Sequence, residues 1–420
     1  VTDPGLPPRL QGPLHHRRVR PLPGLLSALA LLPLAVACQR RTPPQEEGTL
    51  PFVFRSLNLR QQDLKGRPAW ELTSPEARYD LRRRVAQALR PSGVIYKDGQ
   101  PLYRLSATSG TVLDDGAVIL LEGAIRVEQI KPQPVLIRAS RVRWIPARQL
   151  MEIDRHPEAF DAQGRLVARR ARFLLDRNQL ELRGTPQLQR YSRRFDPFNP
   201  TPRGRPELVV TVSRADWEPG TGWLEARGPV RAVRRPPGVS PERPPQILNA
   251  LLLEGNTVSQ EFNLKGPVQL RDPAEDIRFA GTDLRLQVKE QRLRSEKPFT
   301  ASRGSTIARG DSLLVRGRDD TVEIPSGCWL EQPGESLRAR RCSWNWRTQA
   351  IEAEGGVALE RRVNRQSVRA ETLEGSLGPE GQLQLSSPGG RVVSRFQVPK
   401  RTAPPRSPAP VRRGPEPVRL

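Results

Sequence analysis

The stretch Val118-Ile119-Leu120-Leu121-Glu122-Gly123-Ala124-Ile125-Arg126-Val127 decides the fold class. Ile119, Leu121, Ile125 and Val127 fall on one face of an extended chain, and Glu122 and Arg126 on the other. Period 2 with one polar face marks an antiparallel strand buried on one side only. Gln179-Leu180-Glu181-Leu182-Arg183-Gly184 repeats the pattern in short form. Turn pairs such as Asp98-Gly99 and Asp115-Gly116 stand between such runs, where hairpins need them.

Outward from this stretch the pattern recurs at a fixed spacing. A small or apolar residue ends one run, and sixteen positions later a second run ends in Gly: Ala107 with Gly123, Ala168 with Gly184, Val212 with Gly228, Ala250 with Gly266, Ala301 with Gly317 and Ala339 with Gly355. Five residues after the first member a large ring often follows, as at Phe173, Trp217 and Trp344; Trp144 follows Ala139 in the same way in a further unit whose Gly position holds Arg155. Leu166–Phe173 and Leu337–Trp344 nearly superimpose. A single hairpin cannot bury its own apolar face, but stacked hairpins can. The expected fold is therefore all-β: an open, twisted antiparallel jellyroll extended by repeated hairpin units. The repeated Gly is expected on the inward face, marking a bend or a close approach; the plainer alternative is a Gly that begins a tight turn or bulge.

Composition supports this class. The 420 residues include 44 Pro and 33 Gly, which disfavours helical bundles. Net charge is +24, with seven Lys among the 69 basic residues. The Arg are spread along the chain without a compact basic block interleaved with aromatics, so no nucleic-acid partner is expected. The body contains one histidine, His156, no P-loop pattern and no G-x-S-x-G elbow. Asp114-Asp115 and Asp319-Asp320 read as turn residues. No enzymatic activity, cofactor or metal is expected. With 21 aromatic residues and many Arg in its strands, the chain lacks the girdles of an outer-membrane barrel.

The N-terminus reads as an address. Basic residues at 15–20 precede the apolar stretch Leu22–Ala37, which ends Ala35-Val36-Ala37-Cys38. This layout suits a secretory signal. Three outcomes stay open: a lipoprotein acylated at Cys38, a plainly cleaved signal, or a retained anchor. Each exports the remainder of the chain, where Cys328 and Cys342 are free to form a disulfide or to remain buried thiols. The expected segments are 1–38 (signal or anchor), 39–56 (tether), 57–194 (a first jellyroll), 205–398 (further β repeats) and 399–420 (a Pro- and Arg-rich tail).

The order of motifs carries a resemblance. Leu57–Gly66, Trp70-Glu71-Leu72-Thr73, Glu76-Ala77-Arg78-Tyr79-Asp80, Tyr103–Ala107 and Leu120-Leu121-Glu122-Gly123 resemble the periplasmic lipopolysaccharide-export component LptC, with Gly66, Tyr79, Gly123 and Gly184 at motif positions. The resemblance covers about 57–184, and the repeats at 205–390 resemble the wider LptA/OstA-like units. It implies a V-shaped β-trough that shields lipopolysaccharide acyl chains. It also implies a place in the periplasm, tied to the inner membrane by lipid or by the N-terminal segment, with an ABC transporter complex and a same-fold periplasmic bridge protein as partners. Trough candidates are Trp70, Leu72, Tyr103, Leu105, Ile119, Leu121, Ile125, Ile137, Trp144, Phe173, Leu180 and Leu182. Ile119, Leu121 and Ile125 are expected to stay partly hydrated when the trough is empty. Arg138, Arg143 and Arg169 are candidates for the trough mouth. The length leaves open one long trough or two jellyrolls joined near 195–206. A carbohydrate-binding or structural envelope module is the alternative reading.

Overall fold

A computed structural model describes residues 52–238, 240, 242–362, 365–376 and 382–397. The signal segment, Cys38 and the C-terminal tail lie outside the described residues. Within them the chain is almost wholly antiparallel strand, with two single 3-10 turns at Asp114–Gly116 and Pro146–Arg148. No described helix is long and apolar enough to cross a membrane.

The strands build two walls that share one corner. The first wall starts at Leu57–Gln62 and runs through Pro68–Ser74, Ser92–Lys97 and Gln100–Ser106. The second starts at Phe52–Phe54 and runs through Glu76–Asp80, Val85–Leu89 and Ser109–Leu113. The strand Val118–Gln129 then joins both: its C-terminal half pairs with the first wall and its N-terminal half with the second. Val135–Ile145, Trp223–Arg234, Gln246–Asn256, Glu261–Asp272, Ile277–Gln287, Ala350–Arg361 and Gln366–Ser376 cross the corner in the same way. Elsewhere the corner breaks one strand into two, as between Gly164–Val167 and Arg170–Leu174.

The sixteen-residue spacing is the distance from one corner passage to the next. Gly123, Gly184, Gly228, Gly266 and Gly355 all sit at the corner with φ between +79° and +91°. Register shifts interrupt the ladder there, for example between Ala139 and Arg141 and between Glu354 and Val357. The glycines are not on the inward face; of the two readings the sequence left open, the bulge is the one found. They lie on the outer side of the bend, where the residue fifteen positions earlier lies against them. A Cβ on Gly184 would come within 2.7 Å of Arg169 Cβ, and one on Gly123 would run into Thr108. Gly317 does not belong to the series. It lies in a turn after Leu313–Arg316, and its N–H donates to Gln291 O at 2.8 Å. The corner of that unit falls at Gly327, with φ +67° and the Asp311 side chain against it.

The ladder continues through the Pro-rich stretch at 195–206. Gln187–Arg190 pairs with Leu208–Thr211, and Gln179–Arg183 with Arg214–Trp217. The connection itself folds back on the first wall, where Arg126 donates to Phe198 O at 2.5 Å.

Candidate functional site: the cleft between the walls

Alternation places one residue in two of each strand on the inner face, and the register turns these into straight ranks. In the second wall Val112, Ile119, Trp144, Met151, Phe173, Leu180, Trp217 and Leu224 are successive cross-strand partners. The rank continues through Gly255, Phe262, Leu286, Leu293, Val315, Val322 and Trp344 to Ile351. The first wall carries its counterpart: Leu72, Gly93, Leu105, Val127, Ile137, Ala159, Leu166, Leu188 and Val210, continuing through Phe279 and Leu330 to Leu359 and Val368. At ~4.8 Å between strands the apolar lane is on the order of 100 Å long.

All twelve trough candidates lie in the core between the walls. Trp70 of the first wall meets Trp144 of the second edge to face, with ring centroids 5.3 Å apart; Tyr103 and Phe173 do the same at 5.3 Å. Leu72, Tyr103, Trp144, Phe173, Leu180 and Leu182 are fully buried. The expected hydration of Ile119, Leu121 and Ile125 is not found, because they are 0, 0 and 2% exposed. Here the facing walls fill the lane with each other's side chains.

Between Gln246 and Trp344 several rank positions are less tightly shut, and the ranks close again at Ile351, Leu359 and Val368. Phe262, Leu286, Leu293, Val315 and Trp344 are half-buried although they occupy the rank positions that Trp144 and Phe173 occupy earlier, and Phe279 is half-buried in the first-wall rank of Ile137. The core divides into two clusters in this region, with Phe279 and Leu293 touching both. A further apolar crevice is lined by Leu330, Leu337, Ile351, Leu359, Leu373 and Leu383. Sequence reading placed its candidates before residue 183 and missed this stretch, although Glu261–Asp272 shows the same alternation.

Polar groups inside the lane are few. The Tyr103 hydroxyl reaches Asn178 Oδ1 at 2.8 Å, and burial pushes its ionisation above the usual tyrosine range. The indole N–H groups of Trp144, Trp217 and Trp344 are buried and have no acceptor. A buried donor left unpaired costs about 1–3 kcal/mol. Across the rims, Lys97 Nζ donates to Asp176 O at 3.2 Å.

The outer faces are charged and partly self-paired, as in Arg126–Glu128 at 2.7 Å and Arg183–Asp216 at 2.8 Å. The arginines expected at the mouth are elsewhere. Arg138 lies on the outer face, 5.8 Å from the Phe160 ring centroid. Arg143 pairs with Glu152 at 3.5 Å on the outer face, and Arg169 sits at the corner against Gly184. Of the motif residues, Gly66 occupies a rim turn with φ +74°, and the Tyr79 hydroxyl contacts Asp115 Oδ1 at 2.9 Å. The Arg84 guanidinium and the Tyr79 hydroxyl hold the Asp115 carboxyl below the usual carboxylate range. Cys328 and Cys342 are joined by a disulfide with Cα atoms 5.9 Å apart, linking the two walls next to the corner.

No cluster of His, Cys, Asp and Glu among the described residues has the layout of a metal site. No curated protein matches the chain. Residues 25–186 match the family described as "Lipopolysaccharide-assembly, LptC-related". Residues 25–186 are thus similar to that family, and residues 187–420 lie outside the match.

Proposed function

We propose that the chain is a non-enzymatic conduit for lipopolysaccharide, holding acyl chains between its two walls while the phosphorylated sugar stays outside. The observation that carries this reading is the pair of facing apolar ranks, which the register keeps in line along the sheet. Moving a lipid through water needs sheltered apolar surface, at about 0.8 kcal/mol per buried methylene, and no acid–base group. A lane that is apolar along its whole axis lets chains slide without leaving shelter. The unpaired indole N–H groups of Trp144, Trp217 and Trp344 offer donors to the ester and hydroxyl oxygens of such chains. In the LptC-like part the walls must part before lipid enters; between Gln246 and Trp344 the half-exposed rank positions are the easier point of entry.

The partners follow from the strand edges. Among the described residues Leu57–Gln62 pairs only with Pro68–Ser74, and Phe52–Phe54 only with Glu76–Asp80. Phe52, Val53 and Phe54 are exposed there. Such edges accept another sheet. In this reading a same-fold bridge protein and the periplasmic part of an inner-membrane ABC transporter dock by strand addition.

The test is photo-crosslinking in cells from an inward position, Phe262 or Phe279, beside the outward control Arg285. Lipopolysaccharide adducts at the inward positions alone are expected. Equal labelling at all three, or none at the inward two, removes the conduit reading.

A further inference from the structure

On the outer face of the first wall, one cross-strand row gathers three arginines and an indole. Arg309, Trp329, Arg338, Ala358, Arg369 and Val393 are successive partners. The Arg309 guanidinium stacks 4.1 Å from the Trp329 ring centroid and that of Arg338 5.0 Å from it. Nearby arginines have carboxylates: Arg341 pairs with Glu354 at 2.6 Å and Arg361 with Glu335 at 2.7 Å. Among the described residues Arg309, Arg338 and Arg369 have no carboxylate at ion-pair distance. The acids closest in the ladder, Glu331 and Glu360, stand in the adjacent outward row, and Glu331 faces Arg362 at 3.4 Å. At the end of the row Val393 is 46% and Phe396 68% exposed. The sequence that continues from there, 399–420, has six basic residues against one Glu.

We infer that this row is a docking surface for an anionic phospholipid bilayer. Stacking on an indole keeps the guanidinium planes turned outward with their N–H edges available for phosphate oxygens. The exposed apolar side chains of Val393 and Phe396 beside basic groups match the boundary between headgroups and acyl chains. Each basic residue near an anionic surface contributes about 1 kcal/mol, or roughly fivefold in affinity. Docked in this way, the long axis of the lane lies along a membrane over its C-terminal part. This is independent of what the lane carries.

Flotation of the full chain with phosphatidylcholine vesicles, with and without phosphatidylglycerol, tests the inference. The quantity read is the gain in binding caused by phosphatidylglycerol, since binding through an N-terminal anchor does not need anionic lipid. Arg338→Gln should lower that gain about fivefold, and R309Q/R338Q/R369Q about a hundredfold. The charge-matched variant R82Q/R104Q/R214Q should retain most of it. Equal losses in both triple variants would reduce the effect to net charge and overturn the proposal. An unaffected R309Q/R338Q/R369Q variant would overturn it too, and would point to an acidic protein as the occupant of the row.

Discussion

Tyr103 of the first wall and Asn178, in a turn at the rim of the second, share a hydrogen bond of 2.8 Å across the cleft. The hydroxyl is buried, and burial raises its ionisation above the ordinary value near 10. A group whose folded-state pKa lies above its unfolded value contributes stability that is complete below the unfolded pKa and is lost as pH rises beyond it. The melting temperature should therefore hold steady through neutral pH and fall above about pH 10. Tyr103→Phe should lower stability by about 1 kcal/mol at neutral pH and flatten the alkaline fall. A fall of the same size in both proteins would mean that another group is responsible.

The corner makes a separate prediction. Gly123 has φ +91° with Thr108 against its outer side, whereas Gly66 has φ +74° with open space around it. Both positions cost an L-residue about 1–2 kcal/mol of backbone strain, but at Gly123 a side chain also meets Thr108. Chemical denaturation should show Gly123→Ala as clearly the more destabilising of the two, and T108G should recover part of the loss. Equal costs would mean that the turn geometry alone selects glycine.

The disulfide ties both walls together beside this corner. Closing a loop of about 15 residues stabilises a fold by about 3 kcal/mol. C328S/C342S should melt well below the parent chain under oxidising conditions and match it after full reduction. A double variant as stable as the oxidised parent would leave the bond without a structural role.

Much of this architecture was legible in the sequence because two signals are local. Period 2 in Val118–Val127 fixes the inner face, and the sixteen-residue recurrence marks the corner. The meaning of the recurrence was not legible. A glycine at a bend and a glycine facing inward look alike until Thr108, Arg169 and Arg340 are seen lying against Gly123, Gly184 and Gly355. Gly317 kept the spacing by chance while the true corner moved to Gly327. The degree of closure was hidden for a related reason. Ile119 and Leu286 stand in the same rank and show the same alternation, yet one is fully buried and the other half-buried.

That difference yields the sharpest test of the conduit. Leu121 is 0% exposed among Ile119, Ile125 and Val142. An aspartate there is an unpaired charge in a closed core, which costs several kcal/mol, so Leu121→Asp should unfold the surrounding walls. Glu122→Lys, one residue away on the outer face, should leave the fold intact. Leu286 belongs to the other inner rank position, between Phe262 and Leu293, and remains half-buried. Water can reach a charge placed there, so Leu286→Asp should melt close to the parent chain. It would nevertheless set an ion against passing acyl chains, and crosslinking of lipopolysaccharide from Phe279 should drop sharply. If Leu286→Asp folds and Phe279 still captures lipid at the parental level, lipid does not travel along this lane, and the ranks serve only to hold the walls together.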